Sequence, residues 1–298
     1  MISSGRRNGI ITGDKKVSYF QGWYFKNQYG KEVIAFIPAF HIDQKGIKSA
    51  SLQVITSGET HRIYYPIEDF SVSKRRLSIR IGDNVFTQKG IRVNIRTDRL
   101  TLMGELQYMA FTPPKYDIMG PFCAIPMLQC RHSIYSLKHR ITGSLSYNGA
   151  TMEFTGGYGY VEGDRGTEFP EHYFWTQCSF LRQTPNTVML STARVQLGKI
   201  HFNGCTGVVY YHGKEYRLAT YLGATIRRSN KQAVWIHQGS YDLLVKVIKE
   251  QSNTLLAPVK GTMSRIVYES IDAIVRYRFY ISGQLLFDYT GIACVEQG

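Results

Sequence analysis

Hydrophobic and polar residues alternate along many short stretches of the chain. Ile91, Val93 and Ile95 alternate with polar or charged residues, and residues 275–282 show the same pattern. A period of two is typical of antiparallel β-strands with one solvated face. No long stretch carries an apolar stripe of helical period, and the best helical candidate, Leu243–Gln251, also fits a strand. The pattern therefore predicts an all-β protein with little helix.

Turn signals separate these strand-like stretches at short intervals. They include Tyr29-Gly30-Lys31, Asn148-Gly149, Asn203-Gly204 and Ser282-Gly283. Many short strands in series indicate a barrel or a sandwich. A chain of 298 residues has a prior of about two domains. We therefore expect two consecutive antiparallel β-barrels, residues 1–155 and 156–298, divided at a glycine-rich stretch near mid-chain.

Composition narrows the class of protein. Hydrophobic residues make up 43% and charged residues 19%, which is an ordinary globular balance. No apolar run approaches the length of a membrane helix, and the polar residues Met1–Asn8 are not followed by an apolar signal segment, so secretion by that route is not expected. The five cysteines include no CxxC pair. This favours a reduced, cytoplasmic setting without a disulfide framework.

The net charge of +14, from 36 basic and 22 acidic residues, favours anionic partners. The basic residues are dispersed, and their densest clusters are Lys74-Arg75-Arg76 and Arg227-Arg228. A solvated basic surface is favoured over a specific anion site. Peripheral contact with an anionic membrane surface stays open, whereas nucleic-acid binding is suggested by the net charge alone and is not expected.

The stretch Gly157–Phe180 concentrates acidic and aromatic residues. On a strand, Glu162 and Asp164 would share one face. Two carboxylates in one pocket repel each other, so one of them holds its proton more tightly and can act as a general acid. The alternative is a turn, in which Gly163 and Gly166 flank solvated or paired charges.

Aromatic residues near these carboxylates suggest a ligand-binding wall. Alternation places Tyr173, Trp175 and Gln177 on one face, which is too polar for a dry core and suits a cavity. The alternative is a buried Gln177 bonded to the backbone. Near the N-terminus, Trp23 and its neighbour Tyr24 are assigned to the same ligand site.

Other chemistry has little support in the sequence. His132 and His139 flank a basic strand and are interpreted as structural. No HxH or HExxH spacing, Walker loop or GxSxG motif occurs, so we expect no metal and no cofactor. Residues 111–131 form an apolar, proline-interrupted segment. This segment is expected to be a lid over a barrel mouth or a loop packed on the barrel exterior.

Several motifs follow one another in a distinctive order. They are FQGWYFK at Phe20–Lys26, MGPFCAIPMLQCRHSIYSLKHRITGSL at Met119–Leu145, FTGGYGYVEGDRGTEFP at Phe154–Pro170, YFWTQC at Tyr173–Cys178, and Ala257-Pro258 and Met263-Ser264-Arg265 followed by Glu269. Together they cover most of the chain. Their order and spacing resemble the tocopherol cyclase-like family.

The resemblance implies two lipocalin-like barrels and a prenylated, apolar ligand. Family members cyclise a prenylated benzoquinol to a chromanol, and the wider superfamily includes carotenoid hydratases. Both reactions begin with protonation of an isoprenoid double bond, after which an oxygen nucleophile captures the tertiary cation. Carried onto this sequence, the resemblance makes Glu162 and Asp164 the acid candidates. Trp23, Tyr173 and Trp175 would then line the cavity, and Gln177 would orient a ligand oxygen.

Two positions depart from the family motif. Gly163 stands where Lys is usual, and Arg165 stands where Trp is usual. Arg165 is expected to lower the pKa of the neighbouring carboxylates and to replace an aromatic face that could stabilise a cation. The alternative function is a non-catalytic lipid or isoprenoid carrier, in which Arg165 would bind an anionic head group.

Overall fold

The computed structural model describes residues 18–125, 128–181, 186–197 and 200–298, without the side chains of residues 197 and 200. The N-terminal residues Met1–Asn8 lie outside this range. Twelve strands form a first antiparallel sheet. They are β1 Tyr19–Tyr29, β2 Glu32–Ile42, β3 Lys48–Thr56, β4 Thr60–Tyr65, β5 Phe70–Val72, β6 Ser78–Ile81, β7 Asn84–Thr87, β8 Gly90–Arg96, β9 Thr101–Tyr108, β10 Cys130–Tyr147, β11 Ala150–Glu153 and β12 Tyr158–Gly166.

Ten further strands form a second antiparallel sheet. They are β13 Tyr173–Ser179, β14 Thr187–Leu197, β15 Ile200–Tyr211, β16 Lys214–Ala219, β17 Thr225–Ser229, β18 Ala233–Gln238, β19 Tyr241–Lys249, β20 Asn253–Val259, β21 Thr262–Ile281 and β22 Gln284–Gln297. The helical elements of the described residues are short 3-10 turns at Ile67–Asp69, Gly120–Ala124 and Thr220–Leu222. The predicted all-β, two-barrel fold is confirmed, and the ambiguous segment Leu243–Gln251 is mostly strand β19.

The predicted hairpin turns form where a glycine supplies a left-handed backbone. Gly30, Gly149 and Gly283 have φ values of 56°, 87° and 78° and join β1 to β2, β10 to β11 and β21 to β22. The turn predicted at Asn203-Gly204 is wrong. These residues lie inside β15 and pair with β14, opposite Arg194 and Ala193. Here pairing with a long neighbouring strand overrides the local turn preference.

The change from one sheet to the other comes later than the boundary predicted near residue 156. Strand β12 pairs with β1 on one side and with β10 on the other, so the first sheet continues to Gly166. The second sheet begins with β13 at Tyr173. The glycine-rich stretch that suggested the boundary is instead the turn before β12, which returns the chain into the first sheet.

Among the described residues, buried apolar side chains form three clusters. One fills the first barrel and includes Phe25 and Val161, and a second fills the second barrel and includes Phe174 and Val275. The third lies between the barrels and takes its residues from both sheets, among them Tyr24, Tyr160, Trp175, Val208 and Ile271. Strands such as β1 and β12 are therefore buried on both faces, because one face belongs to the barrel core and the other to the interface.

Within the described ranges, no helix is long and apolar enough to span a membrane.

Candidate functional site

A cavity of about 250 Å³ lies between the two barrels. Its first wall comes from β1, β2, β10 and β12, and its second wall comes from β13–β15 and β20–β22. Apolar and aromatic side chains dominate both walls, among them Tyr24, Ile37, Phe169, Trp175, Leu255 and Val267. A mostly apolar cleft with a few convergent polar groups is the usual form of a small-molecule site.

Alternation along β12 brings the acidic side chains into this cavity. Glu162 and Asp164 line it, as predicted from their shared face, and Tyr160 lies in the apolar cluster between the barrels. Val161 belongs instead to the first-barrel core. Residues of one parity on β12 thus face the cavity, and those of the other parity face the interior of the first barrel.

His132 joins the two carboxylates. It lies directly opposite Asp164 in the pairing of β10 with β12. Its Nδ1 is 3.0 Å from Asp164 Oδ1, and its Nε2 is 3.2 Å from Glu162 Oε2. His132, interpreted from the sequence as structural, thus lines the cavity beside both carboxylates. His139 does have a packing role, since it is buried against the rings of Tyr108 and Phe111.

Burial and charge shift the proton affinities of this cluster. Burial raises the pKa of Glu162 above its usual range, although the nearby His132 opposes that shift. Burial disfavours a charged His132, but the two flanking carboxylates outweigh it and raise the pKa of the imidazole well above its usual range. Tyr160 donates its hydroxyl proton to Glu162 Oε2. The cluster therefore holds its protons more tightly than an exposed carboxylate or imidazole would.

The same three residues carry nitrogen and oxygen atoms of the kinds that bind metal ions. Candidate ligand atoms of His132, Glu162 and Asp164 all lie within 4.8 Å of one another. However, His132 directs a different ring nitrogen at each carboxylate, whereas an imidazole binds one metal ion through one nitrogen. The arrangement fits an imidazolium that donates to Asp164 and lies beside Glu162 better than a set of ligands around one ion.

The opposite wall contains two further acids that sequence reasoning missed. Glu296 lines the cavity, and Glu269 is fully buried behind it. Tyr173 donates its hydroxyl proton to Glu296, and Tyr24 donates to Glu269. Glu269 lay at the end of a recognised motif, but nothing in the sequence around Glu296 indicated a site. Only its position two residues beyond the apolar Cys294 on a strand could have suggested an inward side chain.

The predicted ligand-binding residues divide into two groups. Tyr24, Tyr173 and Trp175 line the cavity, and the Tyr24 and Trp175 rings meet edge to face with centroids 5.6 Å apart. Trp23 contributes to the wall, but its indole is only 1% exposed, packs in the first-barrel core and donates to Tyr135.

Gln177 and Arg165 do not belong to the cavity wall. Gln177 is fully buried deeper in the interface, where it accepts a 3.1 Å hydrogen bond from Lys26 and donates to Ser179 and Thr187. Arg165 lies on the same face of β12 as Val161, away from the cavity. Its charge lowers the pKa values of Tyr19 and Tyr135, against the larger effect of burial. The predicted effect of Arg165 on the carboxylates is not seen at Glu162, whose pKa is set by burial, His132, Asp164 and Tyr160.

The apolar segment 111–131 joins β9 to β10 of the first sheet, and its described residues reach across to the second barrel and line the cavity. Its Met119, Phe122, Ile125 and Leu128 line the cavity, whereas Met127 lies outside the described residues. Tyr221 of the second barrel donates to the Ile118 carbonyl at 3.1 Å, and its ring meets Phe122 edge to face. The segment therefore covers the cleft between the barrels, in contrast to the expected positions over one barrel mouth or on a barrel exterior.

The fold and the site define a two-barrel protein with an inter-barrel ligand cavity. The chain belongs to the tocopherol cyclase-like family, whose model matches residues 109–290, which is more than half of the chain. The resemblance read from the motifs is confirmed. No curated protein sequence matches the chain.

Solved structures share this architecture. CghA with Sch210972 superposes with a TM-score of 0.60 at 10% identity, over 94% of this chain and 88% of the other. Kievitone hydratase from Nectria haematococca superposes with a TM-score of 0.52 at 11% identity, over 94% of this chain and 87% of the other. A candidate AttH protein from Nitrosomonas europaea superposes with a TM-score of 0.53 at 12% identity, over 94% of this chain and 91% of the other. At these identities the similarity establishes the shared fold only.

Proposed function

We propose that the inter-barrel cavity binds an apolar, prenylated small molecule and catalyses its acid-dependent cyclisation or hydration. The family match and the hydratase among the structural neighbours support a scaffold of the cyclase and hydratase type. The observation that carries the proposal is a buried carboxyl group, Glu162, at the wall of a largely apolar cavity. Such an acid can stay protonated near neutral pH and donate to a weakly basic alkene.

The proposed reaction needs no change of oxidation state. Glu162 transfers its proton to one carbon of the isoprenoid double bond, and a tertiary carbocation forms at the other. A phenolic or water oxygen then forms the new C–O bond and loses its proton to a base. The rings of Tyr24, Phe169 and Trp175 in the wall stabilise the cation. Asp164 pairs with His132 and holds the imidazolium beside Glu162.

Geranylhydroquinone in D₂O is a suitable probe for this reaction. Cyclisation gives a chromanol that carries one deuterium on the former alkene carbon, detectable by mass spectrometry. Glu162→Gln keeps the size of the side chain but removes the acidic proton, so turnover should fall by about 10²–10⁴-fold while probe affinity changes little. Glu105→Gln is the matched control, because Glu105 is exposed on β9 and does not line the cavity.

A carrier would give a different result. The probe would bind stoichiometrically, and neither the parent protein nor any variant would form chromanol. Turnover by Glu162→Gln at the parental rate would exclude Glu162 as the acid.

The proposal includes a reduced, cytoplasmic setting with peripheral access to membrane-dissolved substrates. The free cysteines include Cys178, Cys205 and Cys294, which are buried as unpaired thiols, an arrangement that a reducing compartment preserves. A prenylated substrate would partition into a bilayer, and the net charge of +14 would favour contact with an anionic surface.

A further inference from the structure

Two glutamates lie side by side on the second sheet, with Glu296 at the cavity wall and Glu269 fully buried behind it. Strand pairing places Glu296 directly opposite Trp175 of β13 on one side and Glu269 of β21 on the other. Residues directly opposite each other on antiparallel strands share a face, with Cβ atoms about 4.5–5.5 Å apart. Trp175 faces the space between the barrels, so both carboxyl groups point there as well.

Two facing, buried carboxyl groups favour a state in which at least one of them is protonated. Like charges directly opposite each other on a sheet destabilise the pair, and burial removes the water that would screen them. Glu269 is fully buried, and its Oε2 has no hydrogen-bond partner among the described residues. The pair can be accommodated when one carboxyl group keeps its proton.

The surroundings place the remaining negative charge on Glu296. Burial raises the pKa of Glu269 well above its usual range, and the charge of Glu296 raises it further. Burial raises the pKa of Glu296 to about 7, while Tyr173 limits the shift by donating to it. The other groups facing Glu296 are Glu162 and Asp164 from β12, Cys130 from β10 and Arg265 from β21.

We infer that Glu296 is the proton acceptor of the proposed reaction and that Glu269 is its positioning residue. This inference rests on the proposed function, in which Glu162 is the donor on the opposite wall. As the phenolic or water oxygen forms the C–O bond, its O–H proton passes to a carboxylate oxygen of Glu296. Glu162 ends as a carboxylate and Glu296 as an acid. Proton exchange with water on product release restores the starting state, so atoms and charge balance.

A protonated donor, Glu162, and an ionised acceptor, Glu296, together predict a specific pH dependence of activity. Glu296 must be ionised to accept a proton, so activity should rise as pH increases through about 7. Glu162 must be protonated to donate, so activity should fall again at a pH above its raised pKa. The profile should therefore be bell-shaped.

Infrared spectroscopy can test the proton pair without turnover. The parent should show a carboxylic-acid C=O band that is lost as pH rises through about 7, and Glu296→Gln should lack this band. Glu105→Gln should retain it. A parent without the band, or a band unchanged in Glu296→Gln, would overturn the assignment.

Turnover of geranylhydroquinone tests the catalytic role. Glu296→Gln should lower turnover by about 10²–10⁴-fold and abolish one limb of the pH profile. Added formate should restore part of the rate to Glu296→Ala, which a purely structural role would not allow. Parental turnover and pH profile in Glu296→Gln would overturn this inference alone. A parent that forms no chromanol would instead defeat the proposed function and the inference with it.

Discussion

At the scale of single residues, His132 determines the charge state of the cavity. It hydrogen-bonds Asp164 through Nδ1, and its Nε2 lies 3.2 Å from Glu162 Oε2, so its imidazolium is paired with Asp164 and lies beside Glu162. We expect His132 to remain charged at pH 8, whereas the buried His41 and His139 should remain neutral at pH 5, because burial lowers their pKa values to about 4 and about 3. Nitrogen-15 NMR of the side chains distinguishes these states. An ordinary titration of His132 near pH 6.5 would contradict the ion-paired cluster.

The same pairing links His132 to stability. Its pKa is raised in the folded state, so its contribution is fully present below the unfolded pKa of about 6.5 and is lost as pH rises through the higher folded value. Replacing one partner of a buried ion pair commonly costs about 3–5 kcal/mol. His132→Gln should therefore destabilise the protein most below pH 6.5 in urea unfolding, and less at a pH above the raised folded pKa of His132.

At the scale of elements, strand β12 depends on a glycine between its two acids. A Cβ atom at Gly163 would lie 3.0 Å from the Gly22 carbonyl, 3.1 Å from Trp23 Cδ1 and 3.2 Å from Tyr135. Gly163→Ala should therefore cost about 1–3 kcal/mol through local overpacking. Gly58→Ala is the control, because a Cβ there meets nothing within 4 Å, and its effect should stay within about 0.5 kcal/mol. Equal urea midpoints for the two variants would contradict the close packing.

At the scale of the whole molecule, the barrels share a continuous interface. Lys26 bonds Gln177, Gln53 bonds the backbone of Leu256, and Asn253 bonds the Thr56 carbonyl, each across the two sheets. We therefore expect the barrels to unfold together in one calorimetric transition. Ile271→Ala, at the buried interface, should lower the midpoint of the whole transition, since such truncations cost about 2–5 kcal/mol. Two transitions, with only one moved by the substitution, would show independent barrels.

The sequence by itself determined the local structure and the family. Period-two alternation and glycine turns act over a few residues, so they specified the strands, most hairpins and the shared face of Glu162 and Asp164. The ordered motifs extended this to the two-barrel fold and the family match. The turn expected at Asn203-Gly204 failed because its partner strand β14 is long enough to hold β15 straight.

Only the tertiary structure decided the composition of the site. The cavity lies between the barrels, so its walls depend on which face of each sheet meets the other, and no local pattern encodes that choice. His132 and Glu296 join Glu162 there through pairing between strands distant in sequence, whereas Gln177 and Arg165 are directed elsewhere. Local alternation fixes which residues share a face, but the packing of two sheets decides whether that face is core, interface or cavity.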